Sequence, residues 1–551
     1  MKNIKFSRVL LLILGVMLFF SCSEGQEVFP ETRLFRPVLN SDLSSEKNSI
    51  IVDMAKMKEA VSYKVEISRD KFATVLKTIE TTENKVIIPD LLWNTEYQVR
   101  STAIAATPEF NSKISDLGSV ITEKFPSIMQ APAANDVIDI AAKVHWATGL
   151  GTGAPITDVK VFAITDEELK TPLATHAVSS SEQAAGEKII GGLLPDTEYQ
   201  LAIFSGETIR GWEKYKTKSP LVSGSNVIDL RGVVGDPDIL VKTLKDPQTA
   251  DGSIILLNGG STYNGADGAS NYSFNKSITI QSGYSFNPAG ATIYFAKEFV
   301  VATGSTISSI VFDGLTLTGI GSPTGTSGNY VFNINATATI GEIKFNNCKI
   351  NQFRGVVRAQ GTLVGTINSF VVNNCIINNI GSYGVLNMDS ATWKFNDAVI
   401  KSSTIYKTNL FLTSKTNSSS VLVEDCTIND VPEKTRAIFN WSGTAGNTNV
   451  TNGITIKNTI IGHGYDTAGG TDYLIKGITG LTGTTFIVTN SYATSDFKYT
   501  ATSTTPIPNF PNFTYSKTAN DLWKDAANGD FNIKDPSFAG IKDAGDPRWR
   551  K

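Results

Sequence analysis

Short apolar strands separated by a polar step recur through the second half of the chain. The clearest copies are Phe345-Asn346-Asn347-Cys348-Lys349-Ile350, Val372-Asn373-Asn374-Cys375-Ile376-Ile377 and Val423-Glu424-Asp425-Cys426-Thr427-Ile428. Weaker copies begin at Phe312, Lys401, Ile456 and Val488. With the cysteine as register, the copies fall at 315, 348, 375, 404, 426, 459 and 491. A strand, a polar step, a small residue and a second strand, repeated in this way, predict a β-solenoid.

A second set of strands lies between these phrases. Alternation along each strand predicts Phe332, Val357, Leu386, Leu412, Phe439 and Ile475 inward. Arg358, Asn387, Thr413, Asn440 and Lys476 then form an outward row, with Arg354, Tyr383, Asn409 and Arg436 as a parallel one. Gln360, Asp389 and Lys415 lie a step further, and Trp441 sits beside Asn440.

The first half follows a different grammar. Leu91-Leu92-Trp93-Asn94-Thr95-Glu96-Tyr97-Gln98-Val99 returns as Leu193-Leu194-Pro195-Asp196-Thr197-Glu198-Tyr199-Gln200-Leu201, a domain length later. Each copy follows an alternating strand, Tyr63–Ser68 or Val159–Ile164. A leucine, a turn, and Thr-Glu-Tyr opening a strand resemble fibronectin type III modules, in which that tyrosine bonds back to the corner. Trp146 falls where such a sandwich holds a core tryptophan, and His145 and His176 are isolated.

After Ser223, Asp236-Pro237-Asp238 predicts the start of a short helix with Ile239, Leu240 and Leu244 on one face. Asp251-Gly252-Ser253-Ile254-Ile255-Leu256-Leu257 and Lys276-Ser277-Ile278-Thr279-Ile280 follow. A capping helix before these strands resembles the start of right-handed parallel β-helices of the pectate-lyase-like class. The tail from Phe531 through Asp546-Pro547-Arg548-Trp549 is similar to the closing segment of Bacteroidetes surface proteins that join sandwiches to such a solenoid. The expected fold is all-β: fibronectin III-like domains over 33–125 and 126–222, then a parallel β-helix over 223–551.

The N-terminus reads as a targeting segment. Lys2, Lys5 and Arg8 precede the apolar stretch Val9 to Phe20, which is short for a bilayer span, and Ser21-Cys22 follows. This resembles a bacterial lipoprotein signal over 1–21, with acylation of Cys22 and a linker over 22–32. Ser23-Glu24 resembles the export signal of Bacteroidetes surface lipoproteins. The implied location is the outer membrane, lipid-anchored and facing the cell surface. Cys348, Cys375 and Cys426 share one repeat position and are expected to stack inside as small apolar residues.

Net charge is −3 over 551 residues with no long basic run, so nucleic acid is not an expected partner. No phosphate-binding glycine loop or clustered carboxylates appear, and no cofactor or metal is expected. The outward rows combine cations, amides and aromatics at rung spacing. Uronate carboxylates suit arginine, and hydroxyls suit amides. The candidate polysaccharide-binding residues are Arg354, Arg358, Tyr383, Asn387, Asp389, Arg436, Asn440, Trp441 and Lys476. The expected function is non-catalytic binding of an acidic, pectin-like polysaccharide, with an outer-membrane glycan transporter as the implied partner. A polysaccharide lyase using Lys415 and Arg436 is the alternative, and a structural or adhesive role is a third. Gly462-His463-Gly464 mimics a polygalacturonase fragment but reads as a loop, because the aspartate motifs are missing.

Overall fold

The computed structural model describes residues 32–149, 153–268, 270–319, 326–443, 448–501 and 505–551. Cys22 and the whole targeting segment lie outside the described residues. The chain forms two compact units.

The unit that holds most of the first half is built from antiparallel sheets. Lys77–Thr81, Ser62–Ser68, Glu96–Ile104 and Ser115–Ile121 form one, and Ser44–Glu46, Ser49–Asp53 and Lys85–Ile88 form another. Alternate residues Ile50, Val52, Val65, Ile67 and Val99 fill the core. The backbone N–H of Leu92 donates to the Tyr97 hydroxyl at 2.9 Å, as the tyrosine-corner motif predicts. The second four-stranded sheet pairs Ala174–Ala177, Asp158–Ala163, Glu198–Ser205 and Thr208–Lys216 in that order. The repeated phrase makes repeated bonds: Thr95 Oγ1 donates to Trp93 O and Thr197 Oγ1 to Pro195 O. Trp146 is buried, in keeping with a core role.

The other unit contains a parallel β-helix. Ten parallel strands, from Val227–Asp229 through Ala338–Asn346, Gly365–Asn373 and Trp393–Lys401 to Phe486–Thr489, make one sheet. A second, branched sheet wraps the rest of each rung. Lys349–Gln360 and Ile376–Asp389 run unbroken round its corner, so each belongs to two rows of strands. Leu240, Val241 and Leu244 of the helix Ile239–Lys245 join the cluster that holds Ile255 and Tyr263, covering the first rung. Ile239 is only partly buried.

The Asn-Asn-Cys phrase is the other corner. Asn346 ends one strand and Lys349 starts the next. Between them Asn347 takes φ 54°, and Asn374, Asp425, Asn458 and Asn490 repeat this left-handed conformation at φ 53°, 55°, 49° and 44°. Asn and Asp tolerate it better than other side chains, because a short polar group bonds locally. Asn374 Nδ2 donates to Asn347 Oδ1 at 2.7 Å, and Asn490 Nδ2 to Asn458 Oδ1 at 3.0 Å. Asn374→Ala removes a ladder bond and keeps the strained φ, so it is expected to cost about 1–2 kcal/mol by urea unfolding.

The cysteine column is more than apolar filler. Cys348 N–H donates to Cys375 Sγ at 3.4 Å, and Cys375 N–H to Ser403 Oγ at 3.0 Å. Each thiol in turn donates to a carbonyl two residues back, Asn346, Asn373 or Glu424. Burial pushes the Cys348 and Cys426 thiols well up, and all three cysteines are free. One register position moves: Ser403, not Thr404, occupies this column, while Thr404 pairs with Ile376 and Thr427.

Candidate functional site

The inward row is Phe332, Val357, Leu386, Leu412 and Phe439, paired in sequence along the sheet. The outward row is Asn333, Arg358, Asn387, Thr413 and Asn440. The next rung departs from expectation. Phe439 pairs with Ile478 and Asn440 with Thr479, so Lys476 falls opposite Ala437 and outside the row. Leu474-Ile475-Lys476 and Gly477-Ile478-Thr479 offer the same apolar-then-polar pattern, and the structure uses the later one.

Trp441 is a second correction. It shares the parity of Phe439, two residues back, and points inward. It is fully buried, with its ring 5.8 Å from Phe395. Arg436 is a third. It lies five residues before Trp441, the partner of Ser414, about 16 Å along an extended strand. That separates it from Lys415, so the two do not form a catalytic pair. Arg436 is exposed, and Glu433 is 3.9 Å away. Asn387 is buried within its row, and Asn440 is half-buried.

The residues that do converge surround two tyrosines. The Tyr330 and Tyr383 rings stand 5.5 Å apart, nearly edge to face. Gly355 lies between them in the sheet, where a Cβ would meet Tyr383 Cβ at 2.8 Å and the Tyr330 ring at 3.1 Å. Any larger residue would push the rings apart. The Arg358 guanidinium lies 4.0 Å from the Tyr383 centroid and the Arg354 guanidinium 4.8 Å from it. Cations in this position are attracted by the ring quadrupole. Tyr330 is almost wholly buried, and burial pushes its hydroxyl pKa up, with the two arginines opposing.

Asp389 ties the next step together. Its Oδ2 accepts from Arg358 at 2.7 Å and its Oδ1 from Lys415 at 2.6 Å. Burial pushes this carboxyl up, but the bonds from Lys415 and Arg358 outweigh it and hold the pKa below the ordinary aspartate value. Gln360 Nε2 donates to Asn333 Oδ1 at 3.0 Å, and Asn333 Nδ2 to Glu298 Oε1 at 3.2 Å. Arg354 is exposed and makes no ion pair among the described residues. The surface thus presents a half-buried ring, one guanidinium with no ion pair among the described residues, and an Arg–Asp–Lys triad in which a single carboxylate offsets one of two positive charges.

Sequence reasoning passed over Tyr330, although the order Tyr330, Gly355, Gly384 with Tyr383 alongside is a signal in the register itself. His463 packs on Tyr473 with centroids 3.7 Å apart, and its Nδ1 lies 3.3 Å from Asp430. It is buried in this contact, in the irregular segment that follows the strand Ile460–Ile461. Among the described residues no group of three His, Cys, Asp or Glu side chains could hold a metal ion.

Two family models match the chain. The domain of unknown function DUF4957 matches residues 261–408, and the domain of unknown function DUF5123 matches 421–549. Tyr330 to Lys415 therefore lies almost wholly within the first. No curated protein matches. Among solved structures, the chain is similar to the FN1–FN3 domains of chicken CNTN1, at 13% identity and TM-score 0.15, covering 34% of this chain and 69% of that one. It is also similar to a two-domain fibronectin type III segment of chicken tenascin, at 15% identity and TM-score 0.16, covering 33% and 99%. At these scores the likeness carries no argument, and the sandwich fold rests on the strand pairing and the tyrosine corner.

Proposed function

We propose that this chain is a non-catalytic, cell-surface lipoprotein of a Bacteroidetes-type bacterium that binds an acidic polysaccharide on its β-helix. The observation that carries the reading is the Tyr330–Tyr383 pair flanked by Arg354 and Arg358. A pyranose ring offers an apolar face to the half-buried Tyr383, and a uronate carboxylate suits the exposed guanidinium of Arg354. The pectate-lyase-like resemblance and the Ser21-Cys22 signal support the same reading, with Cys22 acylated and the sandwiches serving as spacers. A glycan transporter of the outer membrane is the partner this role implies.

Affinity gels containing polygalacturonate, alginate or chondroitin sulfate test the binding. Retardation by at least one is expected, and none by any rejects it. A rise in the ultraviolet absorbance of unsaturated uronate products would make the protein a lyase instead. Asp389→Asn gives a second measurement. It removes the negative charge that offsets Arg358 and Lys415, so affinity for an anionic glycan is expected to rise about three- to tenfold at low salt. A fall in affinity would mean that the triad acts by positioning rather than by charge.

A further inference from the structure

A second polar surface begins one residue beyond Lys415. A groove of about 410 Å³ is lined by Thr366, Lys394 and Asn396, at the starts of strands in the ten-stranded sheet, and by Thr416, Ser418 and neighbours in the turns before them. It crosses four successive rungs, through Thr366, Lys394, Ser418 and Thr451. At about 4.8 Å per rung this spans about 14 Å, enough for about three pyranose rings.

The groove is held open by its own turns. Thr392 Oγ1 donates to Leu363 O at 2.8 Å, and Thr416 Oγ1 to Trp393 O at 3.0 Å, so each turn is tied to the rung before it. Trp393 fills the interior beneath, directly against Gly365, where a Cβ would approach its ring to 2.2 Å. Ser419 N–H donates to Asn396 O at 2.7 Å. A preformed surface loses little freedom on binding.

Its chemistry selects an anionic, hydroxyl-rich ligand. Lys394 is exposed and has no ion pair among the described residues, unlike Lys415, Lys401 and Lys457 nearby in the rungs. Asn396 gives its amide N–H to Asn368 and keeps its own oxygen for other donors. Among the described residues the lining contains no aromatic ring and no acidic residue.

The geometry points to a second subsite, in which this groove and Lys394 hold further sugar residues of the acidic polysaccharide whose first residues rest on Tyr383. The inference rests on the polysaccharide reading and extends it: the ligand is a strand long enough to turn the corner at Lys415–Thr416, not a short oligosaccharide.

Calorimetric titration of the full chain with trimers and octamers of polygalacturonate, alginate and chondroitin sulfate tests it. Lys394→Glu reverses the one cation among the described residues of the groove, and Thr366→Trp fills the groove. Each is expected to weaken octamer binding about tenfold and to leave trimer binding unchanged. Tyr383→Ala weakens both lengths. Unchanged melting of each variant by circular dichroism confirms that it is folded. If both groove variants bind octamers as the unsubstituted protein does, the groove is overturned and the polysaccharide reading stands. If the unsubstituted protein binds none of the six oligomers, both fall.

Discussion

Replacing Arg354 and Tyr383 together by alanine is expected to lower the affinity for an acidic polysaccharide about a hundredfold. A charge-assisted hydrogen bond to a uronate contributes about 1.5–3 kcal/mol, and an aromatic face about 0.5–1.5 kcal/mol beyond its buried area. Their sum is about 3 kcal/mol, or roughly two decades in Kd. Arg354 is the right arginine to change. It is exposed, has no ion pair among the described residues, and its guanidinium lies over the two rings. Arg358 is 14% exposed and tied to Asp389, so its removal leaves a half-buried carboxylate held by Lys415 alone. A loss of affinity there would mix binding with repacking. The Arg354/Tyr383 variant keeps the triad and is expected to melt as the unsubstituted protein does. Titration with polygalacturonate reads the result, and affinity within about twofold of the original would move the site off this face.

Much of this surface was legible because a small residue, cysteine, serine or threonine, marks one corner of most rungs. Cys348, Cys375 and Cys426 set the register, and four outward positions, Arg358, Asn387, Thr413 and Asn440, follow from it by alternation. The same rule, applied one step further, places Trp441 inward with Phe439. Its chemical suitability for sugars had obscured its parity. The Ser403 and Lys476 slips have another cause. Adjacent residues of the same polarity, Ser403-Thr404 in one case and two apolar-polar pairs in the other, satisfy the pattern equally. Only the pairing of neighbouring rungs decides between them. The triad of Arg358, Asp389 and Lys415 was beyond any such rule. Asp389 and Lys415 share one register position, but Arg358 sits two residues earlier on its own rung, and its reach to Asp389 depends on how a long side chain leans, not on backbone period. The tyrosine corner was readable because all its parts lie within six residues, Leu92 to Tyr97.

Arg231→Ala is expected to destabilise the unit that contains the β-helix by about 3–5 kcal/mol, the usual result of removing one partner from a buried ion pair. Arg231 is 4% exposed and grips two carboxylates. It donates to Asp139 Oδ1 at 2.7 Å and Oδ2 at 3.0 Å, and to Asp229 Oδ2 at 2.7 Å. Asp139 is 3% exposed, so without the arginine its charge has neither partner nor water. Gly283 makes the arrangement possible, since a Cβ there would reach the Arg231 side chain at 2.5 Å. Arg231→Lys keeps the charge but loses the planar fork, so an intermediate loss is expected. The pH dependence follows from Asp229. Burial pushes its carboxyl up, and the bonds from Arg231 outweigh this and hold it below the ordinary value. Its contribution is complete above the unfolded pKa and is lost as pH falls through the lowered folded one. The unsubstituted protein therefore loses this pairing on acidification, whereas the alanine variant has none to lose. The gap between their urea midpoints should narrow as pH drops through the carboxylate range. A loss below about 1 kcal/mol at neutral pH, or a gap that widens with acid, would remove Arg231 from the set of residues that hold this unit together. Combining Arg231→Met with Asp139→Leu should recover part of the loss, because the buried charge then disappears with its partner and Asp229, 37% exposed, can be solvated.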